Sequence, residues 1–425
     1  MAEGEPETLP INGAISNFVP SKRLNPVSRP GEPGLINSVY RERGKQRVTI
    51  ARKPRGGHRL PRPISFFVHH QGRGHARRCQ AIIEAMDDRP IHVLTADPGL
   101  FDGFSRDIVM HALPNMIGAP QATRALEAHP TPSVLHCVPL GIDQMRRHMG
   151  LISTHLLEDD PGLFVSDVSA EIALLCRIHS VPAVKVRMHG NRGDIGHLGA
   201  YEACVGMLAP FAEVLEQDDY PEWARRKTHY TGGLCTTTAP VPSREDARAQ
   251  LRIDAQKTLI VTLTGGGGSG TPWAPLTVGA RAAPDAEWVV LGPVHREGHE
   301  TDFANLRNEG WVDNVTTWLA AADIVIASAG DNTVHEIARV GRPFLCIPEW
   351  RYFDEQWRKA DALVRANAAA MLPAWPGDLP GWRDALERAR SIDLDAQRAL
   401  FDAGAARDAA DWLMATCDEL WAGAE

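Results

Sequence analysis

The sequence predicts an α/β protein made of two tandem doubly wound domains, each a parallel sheet with helices on both faces. Three observations predict it. Short apolar runs alternate with stretches of helical spacing over 64–186, and the rhythm restarts over 259–366. Strands that alternate with helices pair in parallel and are buried on both faces. A break over 230–246, YTGGLCTTTAPVPSRED, has the small residues and prolines of an interdomain linker. The 425 residues also exceed what one hydrophobic core usually organises. The expected order is an N-terminal extension over 1–61, a first domain over 62–230, a linker over 231–256, a second domain over 257–381 and a helical tail over 382–425.

The elements follow from local pattern. Ile64-Ser65-Phe66-Phe67-Val68 reads as a buried strand, Gly72-Arg73-Gly74-His75 as a glycine-rich loop, 76–86 as a helix and 91–95 as a strand. Strand, helix and strand recur over 163–166, 170–179 and 183–186. In the second half, 259–263, 288–291, 324–327 and 344–347 read as strands, 335–340 and 355–366 as helices, and 265–270 as a glycine loop. The tail carries Ala, Arg, Asp and Leu at helical spacing.

Composition narrows the function. A net charge of −8 argues against a surface that coats nucleic acid. With 6% aromatic residues, nothing suggests a sugar-binding face paved with rings. Seven scattered cysteines, none in a CxxC pair, fit reduced thiols and a cytoplasmic setting. The acidic start, MAEGEPETLPING, lacks the apolar stretch of a secretory signal, and no run is long enough to span a membrane. Residues 1–61 are rich in Pro, Gly, Ser and Asn, with one expected strand over 46–51. Over 41–62 they turn basic, with Arg41, Arg43, Lys45, Arg47, Arg52, Lys53, Arg55, Arg59 and Arg62 against a single Glu42. That run reads as a flexible extension or as a contact for acidic lipid or nucleic acid, which would place the protein peripherally at a membrane.

The chemistry concentrates in residues 327–366, ASAGDNTVHEIARVGRPFLCIPEWRYFDEQWRKADALVRA. A buried strand ends in small residues, and Gly330 lets the backbone turn close to a ligand. Asn332 and Thr333 are candidate caps of the next helix, whose free N–H groups form an anion site. Glu336 shares a helix face with Thr333 and offers a carboxylate to ribose hydroxyls. A second strand end then brings Asp354, Glu355 and Gln356 to the same edge, where open α/β sheets bind ligands.

Three further segments matter. After the first strand, Gly72, Arg73 and Gly74 lead to His75, an imidazole placed to take a proton from an acceptor hydroxyl. The nearby His69 and His70 leave a structural or metal-binding histidine cluster open as the other reading. The run Thr264-Gly265-Gly266-Gly267-Gly268-Ser269-Gly270 suits backbone contact with a pyrophosphate. It matches GxGxxG, but no acidic residue ends the next strand and no lysine follows, so neither a dinucleotide site nor a P-loop is indicated. Asp167 ends a buried strand and reads either as a cleft residue and second candidate base or as a helix cap. Metal evidence is poor: Asp393-Leu394-Asp395 spells DxD but lies in the helical tail.

These motifs resemble the GT-B glycosyltransferases related to the bacterial MurG enzyme, over roughly 62–370 and most specifically over 327–360. The resemblance implies a metal-independent transfer of sugar from a UDP-sugar, with the nucleotide sugar as co-substrate and no other cofactor. It implies that Glu336 binds ribose, that Gly330 and Thr333 lie by the phosphates, and that Gln356 contacts the sugar. Val312, within Gly310-Trp311-Val312-Asp313-Asn314, matches the backbone contact to the base, and Gly267, Gly268 and Ser269 match the donor glycine loop. A glycine-rich loop with a histidine also stands where His75 does, although Arg73 replaces an expected glycine. The acceptor stays open. So do two other functions, a UDP-sugar 2-epimerase of similar fold and a non-catalytic nucleotide-sugar-binding protein.

Overall fold

A computed structural model describes residues 61–71, 73–115, 123–237, 239–265 and 270–423. The first sheet holds β1 (Ile64–Val68), β2 (Ile91–Thr95), β3 (Val109–Ala112), β4 (Leu163–Ser166), β5 (Ala183–Val186), β6 (Gly206–Ala209) and β7 (Thr228–Tyr230). The second holds β8 (Leu259–Leu263), β10 (Glu287–Leu291), β12 (Leu306–Gly310), β13 (Ile324–Ala327), β14 (Phe344–Cys346) and β15 (Ala370–Met371), with a small side pair, β9 (Thr271–Pro272) and β11 (Val294–His295). Every recorded pairing is parallel. The strand orders are β3-β2-β1-β4-β5-β6-β7 and β12-β10-β8-β13-β14-β15. Both reverse direction next to their first strand, between β1 and β4 and between β8 and β13. The crevices above those strand ends are where such sheets bind ligands.

The helices of the first half are α1 (Arg73–Ala85), α2 (Arg124–Glu127), α3 (Asp143–Glu158), α4 (Ala170–Ile178), α5 (Ile195–Ala203) and α6 (Glu222–Arg225). Those that follow are α7 (Arg244–Leu251), α8 (Trp273–Ala282), α9 (Val315–Ala321), α10 (Asp331–Val340), α11 (Glu355–Arg365), α12 (Leu379–Arg390), α13 (Leu394–Arg398) and α14 (Ala405–Leu420). Alternation along β1 sends Phe66 and Val68 to one face and Phe67 to the other, so each face has its own core. The second sheet is covered on both faces in the same way.

Several elements differ from the sequence expectation. Helices α1 and α10 begin at Arg73 and Asp331, three and four residues early, because a first turn has no intrahelical N–H bonds to lose and tolerates Gly, Asn and Asp. Within the expected linker, Ser243 caps α7 by accepting from the Asp246 N–H. The buried Arg248 of α7 donates to Asp323 and to the Ala321 carbonyl, tying that stretch to the second sheet. The prolines at 240 and 242 therefore mark the approach to a helix. The expected tail divides its loyalties: α12 packs on α8 through Trp382, while α14 buries Ala409, Leu413 and Cys417 in the core under β1. Edge strands β3 (VMHA) and β12 (LRNEG) lack the apolar runs that reveal buried strands.

Asp393 accepts from the Asp395 and Ala396 N–H groups as a helix cap, which accounts for the DxD spelling. Of the basic run, residues 41–60 and the expected strand over 46–51 lie outside the described residues. Arg62 is described; it pairs with Asp160 at 2.9 Å and stacks on Trp421. No helix among the described residues is long and apolar enough to cross a membrane.

Candidate active site

The switch point of the first sheet gathers His75, Arg78 and Asp167. Asp167 leaves the end of β4 and is buried, with its N–H bonded to the Phe67 carbonyl of β1 at 3.1 Å. Its carboxylate lies 2.7 Å from His75 Nδ1 through Oδ2 and accepts from Arg78 Nη2 at 2.7 Å through Oδ1. Burial alone would raise this carboxyl, but His75 and Arg78 outweigh it and hold Asp167 well below the usual carboxylate range. The helix cap at this position is Ser169, which accepts from the Ile172 N–H, so the capping alternative for Asp167 does not hold.

A strained turn aims that carboxylate. Val168 has φ of 67°, where β-branched residues rarely sit, and the Ser169 N–H closes a γ-turn onto the Asp167 carbonyl at 2.8 Å. The buried ammonium of Lys185 on β5 donates to the Val168 carbonyl, with burial pulling it down to about 8. Ser166 Oγ donates to the Ser169 carbonyl at 2.9 Å. Strain of this kind persists only where neighbours over-determine it, and it clusters at functional sites.

The second sheet brings the start of α10 to the same place. Gly330 is its N-cap, and no side chain caps the helix, so Asn332 and Thr333 stand inside the first turn instead of capping it. Gly330 has φ of −67°, which any residue adopts, so its value there is an absent side chain, not a special turn. A Cβ on Gly74 would stand 3.5 Å from Asn332 Nδ2, so the first turns of α1 and α10 face each other. Asp331, at the first position of α10, pairs with Lys359 of α11 and lies 3.4 Å from Arg78 Nη1. Arg78 therefore bridges the carboxylates of Asp167 and Asp331, one from each sheet. Arg78, Asp331 and Lys359 carried no motif in the sequence; their only signal is charge at the first turn of a helix and on an amphipathic face.

Other expected residues distribute unevenly. Glu336 is partly buried, with Oε1 accepting from Thr237 Oγ1 at 2.8 Å, and burial raises its carboxyl. Gln356 is buried and uses Oε1 to accept from the Glu349 N–H at 2.8 Å, which shapes the loop after β14. Glu355 accepts from Arg192 Nη2 at 2.9 Å, joining α11 to the loop after β5. Val312 packs against the core of the second half. Arg73 is exposed at the start of α1. Gly72, Gly267, Gly268 and Ser269 lie outside the described residues. His69 and His70 stack at 5.2 Å, and burial brings His69 down to about 4, so it is neutral. These two rings and His75 do not form a converging ligand set among the described residues.

Beside His75 opens a cleft of about 1410 Å³ between the two sheets. Ile142, Met145 and Met149 line one wall, and Trp350, Tyr352 and Trp375 the other. Phe67 and Phe353 also line it, so five aromatic residues meet the cleft. Trp350 and Tyr352 are mostly exposed. The loop that carries them docks on the loop after β5, with the Asn191 N–H bonded to the Phe353 carbonyl at 2.6 Å. Phe353 and Asp354 both adopt left-handed conformations there. A smaller cavity of about 310 Å³ lies at the second switch point, lined by Leu263, Ser328 and His295 among others.

Residues 290–375 match the glycosyltransferase family 28 C-terminal domain. Over 115 residues the chain is 43% identical to the UDP-N-acetylglucosamine–N-acetylmuramyl-(pentapeptide) pyrophosphoryl-undecaprenol N-acetylglucosamine transferase of Sorangium cellulosum, a match covering 26% of this chain and 28% of that relative. The chain spans less than half the length of the curated relatives it matches first. Its fold is similar to that of MurG from Acinetobacter baumannii, with a TM-score of 0.56 at 14% identity, over 84% of this chain and all of that one. It is equally similar to the glycotransferase of kitacinnamycin, with a TM-score of 0.57 at 14% identity, over 85% and 99% of the two chains.

Proposed function

We propose that this chain, a distant relative of MurG with the GT-B fold and a glycosyltransferase family 28 C-terminal domain, transfers a sugar from a UDP-sugar to an acceptor hydroxyl. The observation that carries this reading is the pairing of His75 with Asp167 at the mouth of the cleft, opposite the uncapped start of α10. Arg78 Nη2 also lies 3.1 Å from Nδ1, and in the tautomer that carries its proton on Nδ1, toward Asp167, the Nε2 lone pair is left for an acceptor hydroxyl. His75 takes that proton as the acceptor oxygen attacks the anomeric carbon and the bond to the β-phosphate breaks. Asp167 stabilises the imidazolium that forms. The departing diphosphate meets the free N–H groups of α10. The Arg78 guanidinium beside Asp331 offsets the repulsion from that carboxylate, while burial holds the Lys359 amine that also touches it well below its ordinary value. Glu336 holds the ribose, and the apolar walls favour an acceptor with an apolar portion.

The curated relative is named for UDP-N-acetylglucosamine, so that donor is the first to test. Mass spectrometry of donor and products, with and without an acceptor panel, checks the reading. Conversion of the donor to its epimer without acceptor would establish the epimerase instead, and binding without turnover would establish a binding protein.

Glu336→Ala should weaken UDP binding by about 1.5–3 kcal/mol, the range for hydrogen bonds to a charged group. Calorimetry on a variant with an unchanged melting profile decides it, and unaltered affinity removes Glu336 from the donor site. The charge of the diphosphate is met by helix N–H groups, so initial rates should stay within about twofold when magnesium or manganese is added. A strong dependence on either ion would mean that the leaving group needs a metal.

A further inference from the structure

On the face of the first sheet that packs against α3, three histidines and an aspartate point at one another. His92 lies on β2 and His111 on β3, and both side chains leave the same face of the sheet. His155 and Asp159 are one turn apart at the end of α3, where i and i+4 residues share a face. One ligand atom from each of the four lies within 4.8 Å of every other. His92 Nδ1 is 2.9 Å from His111 Nε2, and His155 Nδ1 is 2.8 Å from Asp159 Oδ2. Bonds of about 2.0–2.2 Å to a tetrahedral zinc place its ligand atoms about 3.3 Å apart. The four therefore need only small side-chain movements to enclose such an ion.

We propose that His92, His111, His155 and Asp159 form a binding site for a divalent transition-metal ion of the zinc type, which fastens α3 to β2 and β3. Three imidazoles and one carboxylate suit zinc, and four ligands make a closed, structural site. The outer surroundings agree. Ser65, the register partner of His92 on β1, places Oγ 2.8 Å from His155 Nε2, which occupies that nitrogen and turns Nδ1 inward. Ile152 and Leu156, on the same helix, belong to the apolar core around the group. None of the four ligands lines the cleft, but Met145 and Met149 of α3 do, so the ion would brace one wall of it.

The full chain, stripped with a chelator, reloaded with zinc and desalted, should retain about one zinc per chain by elemental analysis. His155→Ala and the milder Asp159→Asn, at a partly exposed position, should lose it. Ser65→Ala should keep the ion but bind it about 10–100-fold more weakly in a chelator competition. His197→Ala serves as the control, because His136, Asp194 and His197 form a second, three-residue group, of which His136 and His197 line the cleft. That variant should retain zinc. A wild-type chain that retains none overturns the proposal. So does retention that survives both His155→Ala and Asp159→Asn but disappears with His197→Ala.

Discussion

His75→Ala should lower kcat by about 10²–10⁴-fold, the usual contribution of a general base. On the proposed mechanism the donor's Kd should hardly change, because His75 serves the acceptor hydroxyl and the diphosphate is assigned to the N–H groups of α10. His75→Gln keeps much of the shape and a hydrogen-bonding group but no basicity, so it should be as slow as alanine. Single-turnover rates at saturating donor, with UDP calorimetry on the same preparations, separate the two effects. Near-full kcat in either variant would place the base elsewhere. A collapse of UDP affinity would instead make His75 a phosphate contact or a support for the start of α1.

Asp167→Asn should be the most destabilising polar substitution in the site. Arg78 and Asp167 are each about 5% exposed, so the change leaves a buried guanidinium without its nearest charge partner. Breaking a buried pair on one side costs about 3–5 kcal/mol. Asp331, at 3.4 Å from Arg78, should hold the loss toward the lower end. Urea unfolding reads the effect as a lower midpoint at unchanged slope. Adding Arg78→Met should restore part of the stability, since removing both charges spares the lone one. Activity should fall in either case, because His75 loses the group that orients it. The pH dependence has a definite sign. Asp167 titrates in the folded protein below its ordinary value of 3.8, so its contribution is present above that pH and is lost as the pH falls below it. The wild-type chain and the Asp167→Asn variant should therefore converge in stability in acid. Curves that stay parallel down to pH ~2 would show that the pair contributes nothing through ionisation.

Sequence pattern alone determined the strands that become β1, β2, β4, β5, β8, β10, β13 and β14, because each is a short, largely apolar run buried on both faces. It also singled out His75 and Asp167 and the stretch from Gly330 to Gln356, since residues at strand ends next to small residues follow a local code. It left Asp167 between a cap and a cleft residue. Only the pairing of β1 with β4 decided that, by setting side by side two strand ends that are about a hundred residues apart in the chain. The γ-turn at Val168 has no sequence signature, and the ammonium that holds its carbonyl comes from Lys185 on a neighbouring strand. The bridge from Asp167 through Arg78 to Asp331 needs both sheets in place. The group of His92, His111, His155 and Asp159 draws on three elements, and spacing shows only its last two members, four residues apart on one helix. Apolar periodicity is written residue by residue and survives without the fold. Charge pairing and ligand convergence depend on distances that exist only once the parallel strands have been brought together.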